Sequence, residues 1–119
     1  MTTEKLENRL VKGLWSLTGL KSSDYIRLIR ESYPDLTGSR LRGIMSVMSN
    51  DNYRSATLGD VVQCFCALAL WAGCPELSEK MHDLKPGSLA NALALVDEAN
   101  QDSENKGPEK ARKVIEKCF

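Results

Sequence analysis

Twelve consecutive residues, Val61-Val-Gln-Cys-Phe-Cys-Ala-Leu-Ala-Leu-Trp-Ala72, include a single strongly polar side chain, Gln63. At 3.6 residues per turn such a segment is apolar almost all round, and a helix with no wet face belongs at the centre of its domain. Its start is marked by Thr57, whose hydroxyl suits an N-cap, with the Asp60 carboxylate three residues on, close to a capping box. Gly73, Cys74 and Pro75 break it. The apolar stretch is too short to span a bilayer, so no membrane is expected as a partner. A central helix over about 57–73 must be wrapped by other elements, and the remaining sequence supplies helices.

Leu, Ala, Glu, Lys and Met dominate the periodic stretches and favour helix, while Val, Ile, Thr and Tyr never alternate over a useful length. The chain is therefore read as all-α, a single compact bundle of five to seven short helices. A first helix is predicted from an N-cap at Thr3 to a stop at Gly19, burying Leu6, Leu10, Leu14 and Leu17, widened by Val11 and Trp15. A second runs from Ser22 or Ser23 to about Tyr33, with Tyr25, Ile26, Ile29 and Tyr33 inward; Pro34 ends it. A third covers 38–49, with Leu41, Ile44, Met45 and Val47/Met48 on one side. Beyond the central helix, one begins at Pro75 and buries Leu77, Met81 and Leu84. Another covers 88–99 and buries Leu89, Leu93 and Val96. Residues 1–99 make the helical domain, 100–108 a mobile linker without an apolar anchor, and 109–119 a C-terminal helix that docks on the core or on a partner.

Formal net charge is zero over 119 residues, which excludes a global basic field. The distribution is uneven. Residues 1–56 hold nine Lys/Arg against six Asp/Glu, a net of +3, and residues 57–119 hold seven against ten, a net of −3. Cys64 and Cys66, two apart on a helix, point to different sides and cannot pair. With no apolar leader in the first residues, the four cysteines read as reduced core residues of a cytoplasmic protein.

Enzymatic chemistry finds little support. His82, the single histidine, stands without a recognisable serine, cysteine or carboxylate partner motif, and no glycine-rich phosphate loop occurs. Cys74, His82 and either Cys64 or Cys66 fit no zinc spacing, so neither metal nor cofactor is expected. Lys110, Arg112, Lys113 and Lys117 on the last helix are diluted by Glu109 and Glu116 and read as a solvated face.

The segment with a functional signal is Thr37-Gly-Ser-Arg-Leu-Arg-Gly-Ile-Met-Ser-Val-Met-Ser-Asn-Asp-Asn-Tyr-Arg54. Opposite its apolar side lie Ser39, Arg42, Gly43, Ser46, Ser49 and Asn50, small residues and arginine where a surface helix ordinarily carries Glu and Lys. Such a face can lie closely against a DNA groove or another backbone. The order of elements over about residues 22–73, with Asn50-Asp-Asn-Tyr-Arg54-Ser-Ala-Thr57-Leu-Gly-Asp-Val as a loop-and-helix junction, resembles the lambda-repressor-like helix-turn-helix domains. The resemblance implies a small transcriptional regulator binding duplex DNA as a homodimer. Ser39, Arg40, Arg42 and Ser46 would face the major groove, Gly43 would permit deep entry, and Lys21, Asn52, Tyr53 and Arg54 would contact phosphates. The other reading is a helical protein–protein interaction module, an adaptor or inhibitor, with Trp15, Tyr25, Tyr33 and Tyr53 as candidate anchors.

Overall fold

The computed structural model describes residues 3–102 and 106–119, and among them it contains helices, turns and no strand. In chain order the helices are α1 (Leu6–Thr18), α2 (Ser22–Ser32), α3 (Gly38–Met45), α4 (Leu58–Trp71), α5 (Ser78–Met81), α6 (Leu89–Gln101) and α7 (Pro108–Cys118). Short 3-10 turns at Pro75–Leu77 and Pro86–Ser88 lead into α5 and α6. The Cα radius of gyration, 13.1 Å, is that of one domain of this length.

The central helix is the one expected. Thr57 caps α4 by accepting the Asp60 N–H at 3.2 Å, and the Asp60 carboxylate accepts the Thr57 N–H at 2.8 Å, completing a reciprocal capping box. Val61, Cys64, Phe65, Cys66, Ala67, Leu68 and Ala69 are all buried, and α1, α2, α5 and α7 pack around them. Leu70 is the exception among its large apolar residues, half exposed near the end of the helix. All four cysteines are free; Cys64, Cys66 and Cys74 are core residues and Cys118 is partly covered.

Around α4, α1 buries Leu10, Val11, Leu14 and Leu17, and α2 buries Tyr25, Ile26 and Ile29. The Tyr25 hydroxyl donates to the Val11 carbonyl at 3.2 Å, tying α2 to α1 inside the core. Glycine lets α1 and α6 come close: a Cβ on Gly13 would stand 2.7 Å from Val96 Cγ1. Asn100 Nδ2, near the end of α6, donates to the Gly13 carbonyl at 3.1 Å.

Several boundaries differ from the sequence reading. Helix α1 begins at Leu6 rather than after Thr3, because Glu4 is drawn across the surface to Lys12 Nζ (2.6 Å) and the Tyr53 hydroxyl (2.9 Å). Helix α3 stops at Met45, four residues early, so Val47 and Met48 leave the apolar side and stand exposed. Of the linker expected at 100–108, Asn100 and Gln101 belong to α6, while residues 103–105 lie outside the described residues. Beyond them Lys106 Nζ donates to Ser16 O (3.0 Å) and Oγ (2.8 Å), and the Gly107 N–H donates to Leu17 O (3.1 Å). Those bonds satisfy carbonyls at the C-terminal end of α1, which a helix leaves without internal partners. Helix α7 is docked: Ala111, Val114 and Ile115 are buried against α4, α6 and α1, and Phe119 meets Phe65 edge-on, centroids 5.4 Å apart. Its outer cations pair along the helix, Arg112 with Glu116 and Lys113 with Glu109, as a solvated face does.

Candidate functional site

Helix α3 begins where Thr37 accepts the Arg40 N–H at 3.1 Å, and it anchors through buried Leu41 and Ile44. It ends through competition for one carbonyl. Gly43 O accepts the Ser46 hydroxyl (2.7 Å), the Ser46 N–H (3.4 Å) and the Arg54 N–H (3.1 Å). The last of these folds the returning chain onto α3.

This geometry changes the facing expected of three candidate residues. Gly43 is buried under the return of its own chain: a Cβ there would lie 2.7 Å from the Asn52 carbonyl oxygen and 2.8 Å from Arg54 Cγ. Its smallness is accounted for by that approach. Arg40 turns toward the start of α4, where Nη2 lies 2.5 Å from Asp60 Oδ2 and Nε 3.3 Å from Oδ1. Burial alone would raise the Asp60 carboxyl, but the Arg40 guanidinium and the Thr57 N–H outweigh it and hold the carboxyl below its ordinary range. Ser46 is half-buried and spends its hydroxyl on Gly43 O.

Of the remaining candidates, Ser39 and Arg42 are exposed on α3, with the Arg42 side chain lying back over Gly38. Arg54 keeps an exposed head while its stem covers Gly43, the residue next to Arg42. Neither Arg42 nor Arg54 forms an ion pair among the described residues. Asn52 is exposed, its N–H held by Asn50 Oδ1 at 2.8 Å, and Lys21 is exposed at the start of α2. Tyr53 is half-buried; burial and the bond to Glu4 push its hydroxyl up to about 12, and Lys12 Nζ lies 5.5 Å above its ring. The four basic candidates are thus split: Arg42 lies over Gly38 and Arg54 over Gly43, Arg40 faces α4, and Lys21 precedes α2.

Of the four aromatic anchors expected for an interface, Tyr25 is inside and the others are partly covered. Tyr25 is fully buried, and Trp15 stacks near it with centroids 6.5 Å apart and donates its indole N–H to Leu20 O at 2.9 Å. Tyr33 and Tyr53 are half-covered.

Three features escaped the sequence reading. Asn8, on α1, is fully buried and clamps the segment after α3: Nδ2 donates to Ile44 O (3.3 Å) and Arg54 O (2.8 Å), and Oδ1 accepts the Ala56 N–H (2.8 Å). Nothing in its sequence neighbourhood signals that role beyond its being polar near a buried stripe. Secondly, Val47 and Met48 are 65% and 40% exposed at the tip of a turn stitched by Asn50 N–H to Val47 O and Tyr53 N–H to Asn50 O, each 3.0 Å. Thirdly, His82, which carried no partner in the sequence, has Nε2 4.0 Å from Cys66 Sγ. The turn following Pro75 brings them together.

No protein-family model, curated protein or solved structure matches this chain. Among the described residues no helix is long and apolar enough to cross a membrane.

Proposed function

We propose that the chain is a protein–protein interaction module whose contact surface is the turn at 46–52 together with the exposed side of α3. The observation that carries this reading is the pair Val47 and Met48, two adjacent apolar side chains held outward by a turn whose backbone is pinned at both ends. Pinning matters because a surface ordered before binding loses less conformational entropy when a partner arrives. Arg42 and Arg54 are exposed on the chain segments before and after the turn, and Met and Arg are among the residues enriched at the centres of protein interfaces. The test is quantitative binding of a partner retained on the immobilised chain, measured for the wild type and for the double substitution Val47→Ser, Met48→Ser. Both side chains are exposed, so the variant keeps its fold; unchanged partner affinity refutes the assignment.

A second reading is a dimeric transcriptional regulator that binds duplex DNA through residues 38–54. It is favoured by Ser39 and Arg42 exposed on a helix without an acidic residue, with Arg54 exposed on the chain that returns over Gly43. A titration with duplex DNA separates the two. Binding at about 50 mM salt that weakens steeply with added salt, and weakens again in Arg54→Ala, supports the regulator. No binding under those conditions leaves the interaction module.

A further inference from the structure

We propose that the Cys66 thiol and the His82 imidazole form a two-coordinate site for a soft monovalent metal ion of the copper(I) or silver(I) kind. Sγ on α4 and Nε2 on the residue that closes α5 stand 4.0 Å apart. Bonds of about 2.3 Å to sulfur and about 2.0 Å to nitrogen put two donors about 4.3 Å apart when collinear with the ion and about 3.5 Å apart at the tetrahedral angle. The observed separation corresponds to about 140° at an ion lying between them, about 0.3 Å short of the collinear arrangement a two-coordinate ion prefers, a gap that a small rotation of the exposed His82 closes.

Charge selects the ion. Cys66 is 1% exposed, and binding releases its proton: M⁺ + Cys66–SH + His82 gives M(S–Cys66)(N–His82) + H⁺. Thiolate and monovalent ion sum to zero, so a neutral group sits at the edge of the core. A divalent ion on the same two donors would leave one positive charge unbalanced beside the buried sulfur. Thiolate and imidazole are also the donors that soft copper takes. Among the described residues no three His, Cys, Asp or Glu side chains converge, so these donors do not make a tetrahedral zinc site. The Cys66 thiol donates to the Ser78 carbonyl oxygen at 3.5 Å, which fixes the direction of the sulfur until the metal displaces that proton. His82 is exposed and gives the ion a way in. It is also the single histidine, which limits the site to one per chain.

The test is an anaerobic titration of the full chain with copper(I) in competition with a chromophoric copper(I) chelator. One equivalent is taken from the chelator, with a thiolate-to-metal charge-transfer band. Affinity falls at least about 100-fold in His82→Gln and in Cys66→Ser, beyond the 10–100-fold typical of groups that only orient ligands. Cys74→Ser and Cys118→Ser leave it unchanged. His82→Gln alters an exposed side chain and so decides the matter even where Cys66→Ser fails to fold. Failure to compete, equal affinity in His82→Gln, or an equal loss in Cys74→Ser each overturns the site.

Discussion

Substituting Asn8 by Ala tests how the segment carrying the exposed turn is held. The side chain makes three bonds, and its removal leaves Ile44 O, Arg54 O and the Ala56 N–H without protein partners. A buried backbone group left unsatisfied costs about 1–3 kcal/mol. Ala56 is fully buried, so its N–H bears the whole penalty, whereas the Arg54 carbonyl belongs to an exposed residue and bears less of one. Ile44 O lies between these cases. The expected loss is about 3 kcal/mol, a large share of the 5–15 kcal/mol that holds a domain together. Urea unfolding followed by far-ultraviolet circular dichroism measures it, with the midpoint shifted and the slope preserved. The slope matters because a changed one would report a loosened native state rather than lost bonds. Asn8→Asp sharpens the test: it keeps the acceptor for Ala56 but turns a charged oxygen toward two carbonyls, so it destabilises more than Ala at neutral pH and recovers as acid protonates it. A loss under about 0.5 kcal/mol for Asn8→Ala, the range of ordinary surface substitutions, would refute the clamp.

Gly43→Ala places a methyl 2.7 Å from a backbone carbonyl and is expected to destabilise by about 1–3 kcal/mol, visible in the same unfolding curves. Gly13→Ala, whose methyl meets the Val96 side chain at 2.7 Å, costs a similar amount by separating α1 from α6; a Val96→Ala second substitution recovers part of it. The Asp60 carboxyl is held below its ordinary 3.8 in the folded chain, so its contribution is full above about that pH and is lost as pH falls through the depressed value. Asp60→Asn therefore lowers stability at neutral pH and flattens the acid side of the stability–pH profile, as thermal melts at stepped pH would record.

What the sequence made legible was what depends on neighbours along the chain. Thr57 and Asp60 satisfy one another within a single turn, so the capping box followed from spacing alone. The central helix followed because an all-apolar segment has only one place to go. The facing of α3 did not follow, because periodicity gives an angular position and says nothing of which segment occupies the far side. Gly43 and Arg40 lie at outward angles and are taken up by Asn52, Arg54 and Asp60, contacts between residues nine to twenty positions apart. The early stop at Met45 has the same origin, since Gly43 O is claimed by Arg54 from the returning chain. The His82–Cys66 contact spans sixteen residues and a reversal of direction, beyond any motif. Docking of α7 was half legible: the apolar side of Ala111, Val114 and Ile115 was plain, but the Lys106 anchor sits in a stretch that reads as polar filler.

The bonds from Asn100 to Gly13 and from Lys106 to Ser16 join residues 87 and 90 positions apart. Synthesis proceeds from the N-terminus at about 5–20 residues per second, so the first helix emerges about 4–18 s before these partners exist. During that wait its leucine stripe has no α6 or α7 to lie against, and a nascent chain in that state is a natural client for holding chaperones. The face of α1 that meets α6 and α7 closes only once they are made, so removing α7 should loosen α1, at the other end of the sequence.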